Sequence, residues 1–336
     1  MNSSLGEAFN EANRLGMIGL SLLQKFDAKP WVARISSIYY DRVFGWVRPF
    51  ADCRLPLKDA YIVGLQYGDT ELAVCCAIYP ILIEFEMRPL AAMEHEFDII
   101  LDRVRFYGLK NFENLSKPIR HLLKDLSGSY DGDTNALKKM IVDDKSAFVV
   151  EVSNILNKWK YVHRAFQFFL FGLYDDAMNN AKAADSVCAV AFYGPHRGSL
   201  AALICGLADV AFARHMKLRK AVYAKKYSKM LLRWATFGEP RNFLGKHYFL
   251  EAELAALAGK KEQSYKLYIS AIGTCREGKF LMSTAMACER TAQSLMEWGQ
   301  NDLAGPYFHE AIELYVKWGA TKKAQHLQLE IAQLGF

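Results

Sequence analysis

Two short stretches, HEFD (95–98) and HEAIE (309–313), begin as a zinc-hydrolase helix begins, with a histidine to hold metal and a glutamate to serve as base. Each lacks a second histidine at i+4, the position that supplies the other ligand. The remaining histidines, at 121, 163, 196, 215, 247 and 326, are dispersed. Hydrogen bonding between helices or exposure to water accounts for them, and no bound metal is expected.

Nucleophilic chemistry is no better served. No G-x-S-x-G elbow is present, and the seven cysteines, at 53, 75, 76, 188, 205, 275 and 288, form no C-x-x-C pair. Adjacent Cys75 and Cys76 lie in the most apolar stretch of the chain, where packing is the expected role. An odd number of scattered thiols fits a reducing, intracellular setting.

Anion and cation chemistry offer one weak candidate each. GPHRGS (194–199) is one residue short of the phosphate-cradling G-x4-G-K-[S/T] loop and has no lysine, so it reads as a turn between helices. Asp131/Asp133 and Asp143/Asp144 make no calcium loop, because DGDTNALKKMIV lacks the closing glutamate, and solvated loop charge is their expected role.

The stretch from Val210 to Gly238 is different, for it contains no acid at all. It holds Arg214, Lys217, Arg219, Lys220, Lys225, Lys226, Lys229 and Arg233, with Tyr223, Tyr227 and Trp234 interleaved. Such a stretch could grip phosphates, an acidic partner or an anionic membrane surface. The simpler account is a long helix that turns its aromatics inward and its lysines to water. The basic residues spread around most of that helix, which argues against a groove reader, so nucleic acid is not the expected partner.

The elements that would position these residues are legible in composition and spacing. Of 336 residues, 52% are hydrophobic, 23% are charged and only nine are proline, so the chain can bury a sizeable core. The excess of Lys and Arg over Asp and Glu, 42 against 36, is too mild to mark a nucleic-acid binder. The longest apolar run, Leu72 to Phe85, is confined by Glu71, Glu84 and Glu86 to less than the roughly 20 residues a membrane helix needs. A buried helix is expected there, and no transmembrane segment anywhere. Near the N-terminus, Glu7, Glu11 and Arg14 precede MIGLSLL without a cleavage site, so a secretory leader is not expected and a cytoplasmic location is.

Helix stops recur with a period. Tyr67-Gly68, Tyr107-Gly108, Tyr193-Gly194, Phe237-Gly238, Glu277-Gly278 and Trp318-Gly319 are spaced by 40, 86, 44, 40 and 41 residues, the long interval implying a missing stop near 151. Glycine ends helices well because it enters the left-handed conformation without a Cβ clash. A second set, Gly172, Gly259 and Gly299, falls 19 to 22 residues before members of the first, so each period holds two helices. Small or apolar residues at i, i+4 and i+7 support this: Ala177/Ala181/Ala184, Ser264/Tyr268/Ala271 and Ala304/Phe308/Ala311, with weaker echoes from Cys53 and Ala221 and a faint one from Ala92.

The pattern resembles the tetratricopeptide repeat, whose second helix reads A-x3-F-x2-A as Ala304, Phe308 and Ala311 do, although periods of 40–44 residues exceed that family's roughly 34. The expected fold is all-α: one tetratricopeptide-like solenoid over residues 1–336, of about six or seven helix hairpins. Residues 127–134 are expected to form a surface loop that interrupts the repeats. The opening Ala12-x3-Gly16-x2-Gly19 reads as a second helix lacking its first. Residues 320–336 read as a terminal helix lacking a hairpin partner, so the chain is either capped by these helices or a section of a longer protein.

Three stretches, residues 43–73, 166–184 and 305–327, are similar to the helical-repeat segment that follows the predicted ATPase domain in multi-sensor hybrid histidine kinases, related serine/threonine kinases and cyclase-linked signalling proteins. That resemblance implies a non-catalytic interaction or regulatory module in signal transduction. Its partner would be a protein, such as an ATPase, kinase or cyclase domain of a longer parent chain. It carries over no catalytic residue and no cofactor. The alternative is binding of nucleic acid or an anionic membrane surface through a basic helix at 214–233.

Overall fold

The structure is a computed structural model that describes residues 3–128, 154–188 and 194–335. Among these the regular structure is entirely helical, with fifteen α-helices. The first six are α1 (Ser3–Lys25), α2 (Val32–Ile38), α3 (Arg54–Gln66), α4 (Thr70–Ile83), α5 (Leu90–Phe106) and α6 (Lys110–Ser127). Then follow α7 (Asn154–Leu170), α8 (Tyr174–Cys188), α9 (Pro195–His215), α10 (Val222–Phe237) and α11 (Pro240–Leu257). The last are α12 (Lys261–Glu277), α13 (Leu281–Glu297), α14 (Asn301–Trp318) and α15 (Thr321–Gln333).

From α7 onward, each odd-numbered helix packs on the even-numbered one that follows it, and α7, α9, α11 and α13 also pack on one another in chain order. Side-chain size explains why these inner helices can be crowded on several sides. Helix α9 carries AALICGLADVA, buried throughout, and the bare backbone of Gly206 meets Leu250 of α11 so closely that a Cβ there would lie 2.8 Å from its methyls. Helix α13 buries Met282 to Ala292 without a break, and most of those side chains are small. Proline at the first turn of α9 and α11 suits a position whose N–H has no partner within the helix.

The expected small-residue registers face the core. Ala177, Ala181, Ala184, Ser264, Tyr268, Ala271, Ala304, Phe308 and Ala311 are all buried, as are Cys53, Leu57 and Ala60. Two echoes differ. Lys225 is exposed, and so is Ala92, because α5 turns Leu90, Met93 and Phe97 inward instead.

The glycine stops divide into two kinds. Gly68, Gly108, Gly172, Gly259, Gly299 and Gly319 have positive φ. Gly238 (φ −122°) and Gly278 (φ −73°) do not, and near the latter Lys279 takes the left-handed turn at φ 61°. Gly238 is needed for space: a Cβ there would lie 2.5 Å from the carbonyl oxygen of Trp46.

Helix α6 closes on Ser127 and Gly128, and residues 129–134 of the expected surface loop lie outside the described residues, as do Asp131, Asp133, Asp143, Asp144 and the missing stop near 151. The terminal helix α15, read as lacking a hairpin partner, packs on both α14 and α6, burying Lys323, Leu327 and Ile331. The apolar run at 72–83 forms α4, a buried helix. Among the described residues α9 alone is long and apolar enough to cross a bilayer, and 78% of its most apolar window is buried inside the protein.

Candidate functional site

Two irregular pieces of the N-terminal third, residues 39–53 and 84–90, lie across the starts of α9, α11, α13 and α15. The first is broken into a π-turn (Tyr39–Val43) and two 3-10 turns (Phe44–Trp46 and Phe50–Cys53). Pro49 cannot continue a helix, and it separates the two 3-10 turns. The second piece follows α4 and ends at Pro89, the cap of α5. Helical backbone satisfies itself, whereas irregular backbone must find partners elsewhere. Here the partners are side chains and turns of the distant helices.

Asn242, in the first turn of α11, makes three of these bonds. Its Nδ2 donates to the carbonyls of Gly45 (2.7 Å) and Arg48 (2.8 Å), and its Oδ1 accepts from the amide of Phe50 (3.1 Å). The amide of Glu239 donates to Trp46 O at 2.7 Å, which is why a glycine precedes it. One turn further into α11, Lys246 Nζ sits 3.0 Å from Glu86 Oε1 and 3.8 Å from the centre of the Phe280 ring. Glu86 also accepts from Ser283 Oγ at 2.5 Å, while its carbonyl accepts from the amide of Met282 at 3.0 Å. Trp318 Nε1 donates to Phe85 O at 2.9 Å, and Gly319 leaves room for the backbone of Leu90.

Aromatic packing covers these polar contacts. Trp46 stacks on Phe9 and Phe243, and Trp234 meets it edge-on. Phe50 is ringed edge-on by His196, Phe243 and Phe280. In this dry setting the hydrogen bonds are well shielded, and leaving any one unmade is costly.

Asp41 anchors the upstream end. Fully buried, it receives Arg197 at 2.6 Å and Arg42 at 2.7 Å on Oδ2, while Oδ1 has no hydrogen-bond partner and lies 3.9 Å from His196 Nε2. Burial pushes the Asp41 carboxyl above its ordinary range, against the pull of Arg197 and Arg42. Burial, reinforced by Arg197, Arg42 and Lys246, holds His196 neutral, well below its ordinary range. The GPHRGS stretch is therefore the start of α9, with Gly194 as its cap, and it receives the chain's own Asp41.

The basic stretch is not one helix. Residues 214–233 comprise the end of α9, the turn at 216–221 and most of α10. Arg214 is drawn inward: it pairs with Glu253 (3.1 Å) and Glu297 (2.5 Å). Glu253 in turn takes two bonds from Arg290 (2.7 and 2.9 Å) and one from Tyr268 (2.6 Å), joining α9, α11, α12 and α13. Burial works to raise the Glu253 carboxyl, but Arg290 and Arg214 outweigh it and hold it at about 2. Lys226 pairs with Asp185 at 2.9 Å. Lys217, Arg219 and Lys220 are exposed on the turn, and Lys225, Lys229 and Arg233 are exposed along α10.

His95 and His309 are exposed on α5 and α14, and among the described residues no three His, Cys, Asp or Glu side chains converge as metal ligands. Cys53, Cys75, Cys76, Cys205, Cys275 and Cys288 are buried and outside any disulfide. Burial pushes the Cys75 thiol up to about 11 and Cys76 higher still, away from nucleophilic use.

No local periodicity announces the contact of residues 39–53 and 84–90 with α11 and α13. The one signal is ambiguous: Gly238 and Gly319 end helices and also leave room for the N-terminal backbone. No protein-family model matches the chain, and no curated protein matches it.

Proposed function

We propose that the chain is a non-catalytic, tetratricopeptide-like solenoid of signal transduction that recognises an irregular segment of a protein partner along the starts of its inner helices. The observation that carries this reading is the grip of Asn242 on Gly45, Arg48 and Phe50. A carboxamide that accepts one backbone N–H and donates to two carbonyls recognises irregular main chain whatever its side chains. Lys246, Ser283 and Trp318 continue the same line of contacts. The resemblance to repeats adjoining ATPase, kinase and cyclase domains suggests that such a domain, in a longer parent chain or a separate protein, supplies the partner.

On this reading residues 39–53 and 84–90 hold the groove in the absence of a partner. Affinity capture with the intact chain, with and without nuclease, tests it. Proteins bearing ATPase, kinase or cyclase domains should be retained after nuclease treatment, and more strongly by Phe50→Ala, which seats the chain's own segment less firmly and leaves the Asn242 grip in place. Capture that disappears with nuclease, or that brings down no such protein, overturns the reading. Equal capture by the variant overturns the groove as the docking place.

A further inference from the structure

The turn between α9 and α10 reads MKLRKAV (216–222) and alternates apolar with basic residues. Met216, Leu218 and Val222 are 51%, 48% and 73% exposed, while Lys217, Arg219 and Lys220 project between them. An exposed apolar group on a turn must be reconciled with water, and three framed by cations form a pattern that water alone does not favour.

Three further observations concern the same place. First, Lys217 adopts φ 52°, whereas the equivalent turns after α7, α11 and α13 use Gly172, Gly259 and Gly299 at φ 74–78°. A side chain in the left-handed region is strained, and of these four turns only this one keeps such strain, a trait it shares with Lys279 after α12. Second, a small separate core joins Val210, Ala213, Ala221 and Ala224 to Leu254 and Leu257, seating the turn after α11 beside this one. That turn adds exposed Lys260 and Lys261. Third, carboxylates on the flanking helices are engaged elsewhere: Glu297 with Arg214, Asp185 with Lys226, Glu262 with Lys266, and Asp175 beside His215. No ion pair among the described residues involves Lys217, Arg219, Lys220, Lys260 or Lys261.

We propose that the paired turns at 216–222 and 258–261 form a docking surface for an anionic lipid bilayer, with Met216, Leu218 and Val222 entering the interface and the five cations lying at the level of the headgroups. Apolar side chains decide between the two polyanions. A duplex offers phosphates but little to bury three aliphatic groups, whereas the boundary of a bilayer offers both. Attraction between a basic residue and an anionic leaflet corresponds to about fivefold in partitioning for each residue, and it declines with salt.

Sedimentation of the full chain with vesicles of phosphatidylcholine alone, and of phosphatidylcholine with phosphatidylserine, tests this. The chain should bind only the second kind, and salt should release it. Lys217→Gly should weaken binding by about fivefold while raising the thermal midpoint, since it relieves a strained turn; a merely structural lysine would not give that combination. Leu218→Ser with Val222→Ser should weaken vesicle binding and leave affinity for a DNA duplex unchanged. Lys317→Gln, exposed on α14, should change nothing. Failure to bind phosphatidylserine vesicles at low salt overturns the proposal. So does a duplex that binds more tightly than the vesicles, or vesicle binding indifferent to Leu218 and Val222.

Discussion

Lys246 and Glu86 form an ion pair at 3.0 Å with both side chains almost wholly removed from water. It ties the N-terminal loop at 84–90 to α11, and Ser283 and the Phe280 ring complete its surroundings. Lys246→Met alone leaves a carboxylate buried with a single hydroxyl, and Glu86→Leu alone leaves an ammonium facing rings. Each should cost about 3–5 kcal/mol, because the surviving charge is uncompensated. The double replacement Lys246→Met with Glu86→Leu should recover most of that loss. Urea unfolding of the four proteins gives the coupling directly.

Asn242→Ala removes three hydrogen bonds at once and orphans two carbonyls and an amide in a buried place. Each unsatisfied group costs on the order of 1–3 kcal/mol, less where water can enter. The loss should be local. Hydrogen exchange at the Phe50 amide should accelerate strongly, while amides inside α14 keep their protection. Uniform acceleration throughout the chain would mean that the segment and the helices unfold as one unit.

The glycines separate two kinds of constraint that look alike in sequence. Gly259 has φ 74° and nothing within 4 Å of where a Cβ would stand, so Gly259→Ala pays only for its backbone angle, about 1 kcal/mol. Gly238 has an ordinary φ, but a Cβ would press on the Trp46 and Trp234 carbonyls at 2.5 and 2.8 Å. Backbone cannot step aside as a side chain can, so Gly238→Ala should lower the thermal midpoint more than Gly259→Ala does. The reverse order would show that the Trp46 contact yields easily.

That contrast also marks what the sequence can disclose. The i, i+4, i+7 registers from Ala177, Ser264 and Ala304 point to a buried helix face, and those residues are buried, because helical periodicity is a local property. The helix stops at Gly172, Gly259 and Gly299 are readable for the same reason. The grip of Asn242 on Phe50 is not, since nothing in the spacing of either residue encodes a contact between such distant parts of the chain. Sequence offers Arg214 as one of a candidate anion-binding set, and the structure draws it inside, because charge alone does not reveal that Glu253 and Glu297 await it there.

Stability should fall with acid before the carboxylates titrate. Burial holds His163 and His326 at about 4, lowers His247, and keeps His196 well below its ordinary range. Unfolded histidine takes up a proton near about 6.5. Between that value and about 4, the unfolded chain therefore binds more protons, so stability is full above the window and declines as pH falls through it. Buried Asp41 and Glu84, whose carboxyls are raised by burial, bind a proton more readily when folded and oppose the decline. Comparing denaturant midpoints of the native chain and His326→Asn between about pH 7 and pH 4.5 isolates one histidine: the variant should show the shallower slope.

Glu253 carries a heavy electrostatic burden among the inner helices, since it pairs with both Arg214 and Arg290. Glu253→Gln keeps the shape but leaves two guanidinium groups facing one another in a dry space, with a loss of about 3–5 kcal/mol expected. If repulsion is the cause, Arg214→Leu should restore part of the stability in the Glu253→Gln background, although by itself it destabilises by removing one of the two cations that hold the buried Glu253. Such a reversal of sign is specific to charge. A purely steric loss at Glu253 would instead make the two effects additive. Hydrogen exchange adds the location: the amides of α9, α11 and α13 should open together in Glu253→Gln, because this carboxylate is where the three helices share an ionic centre.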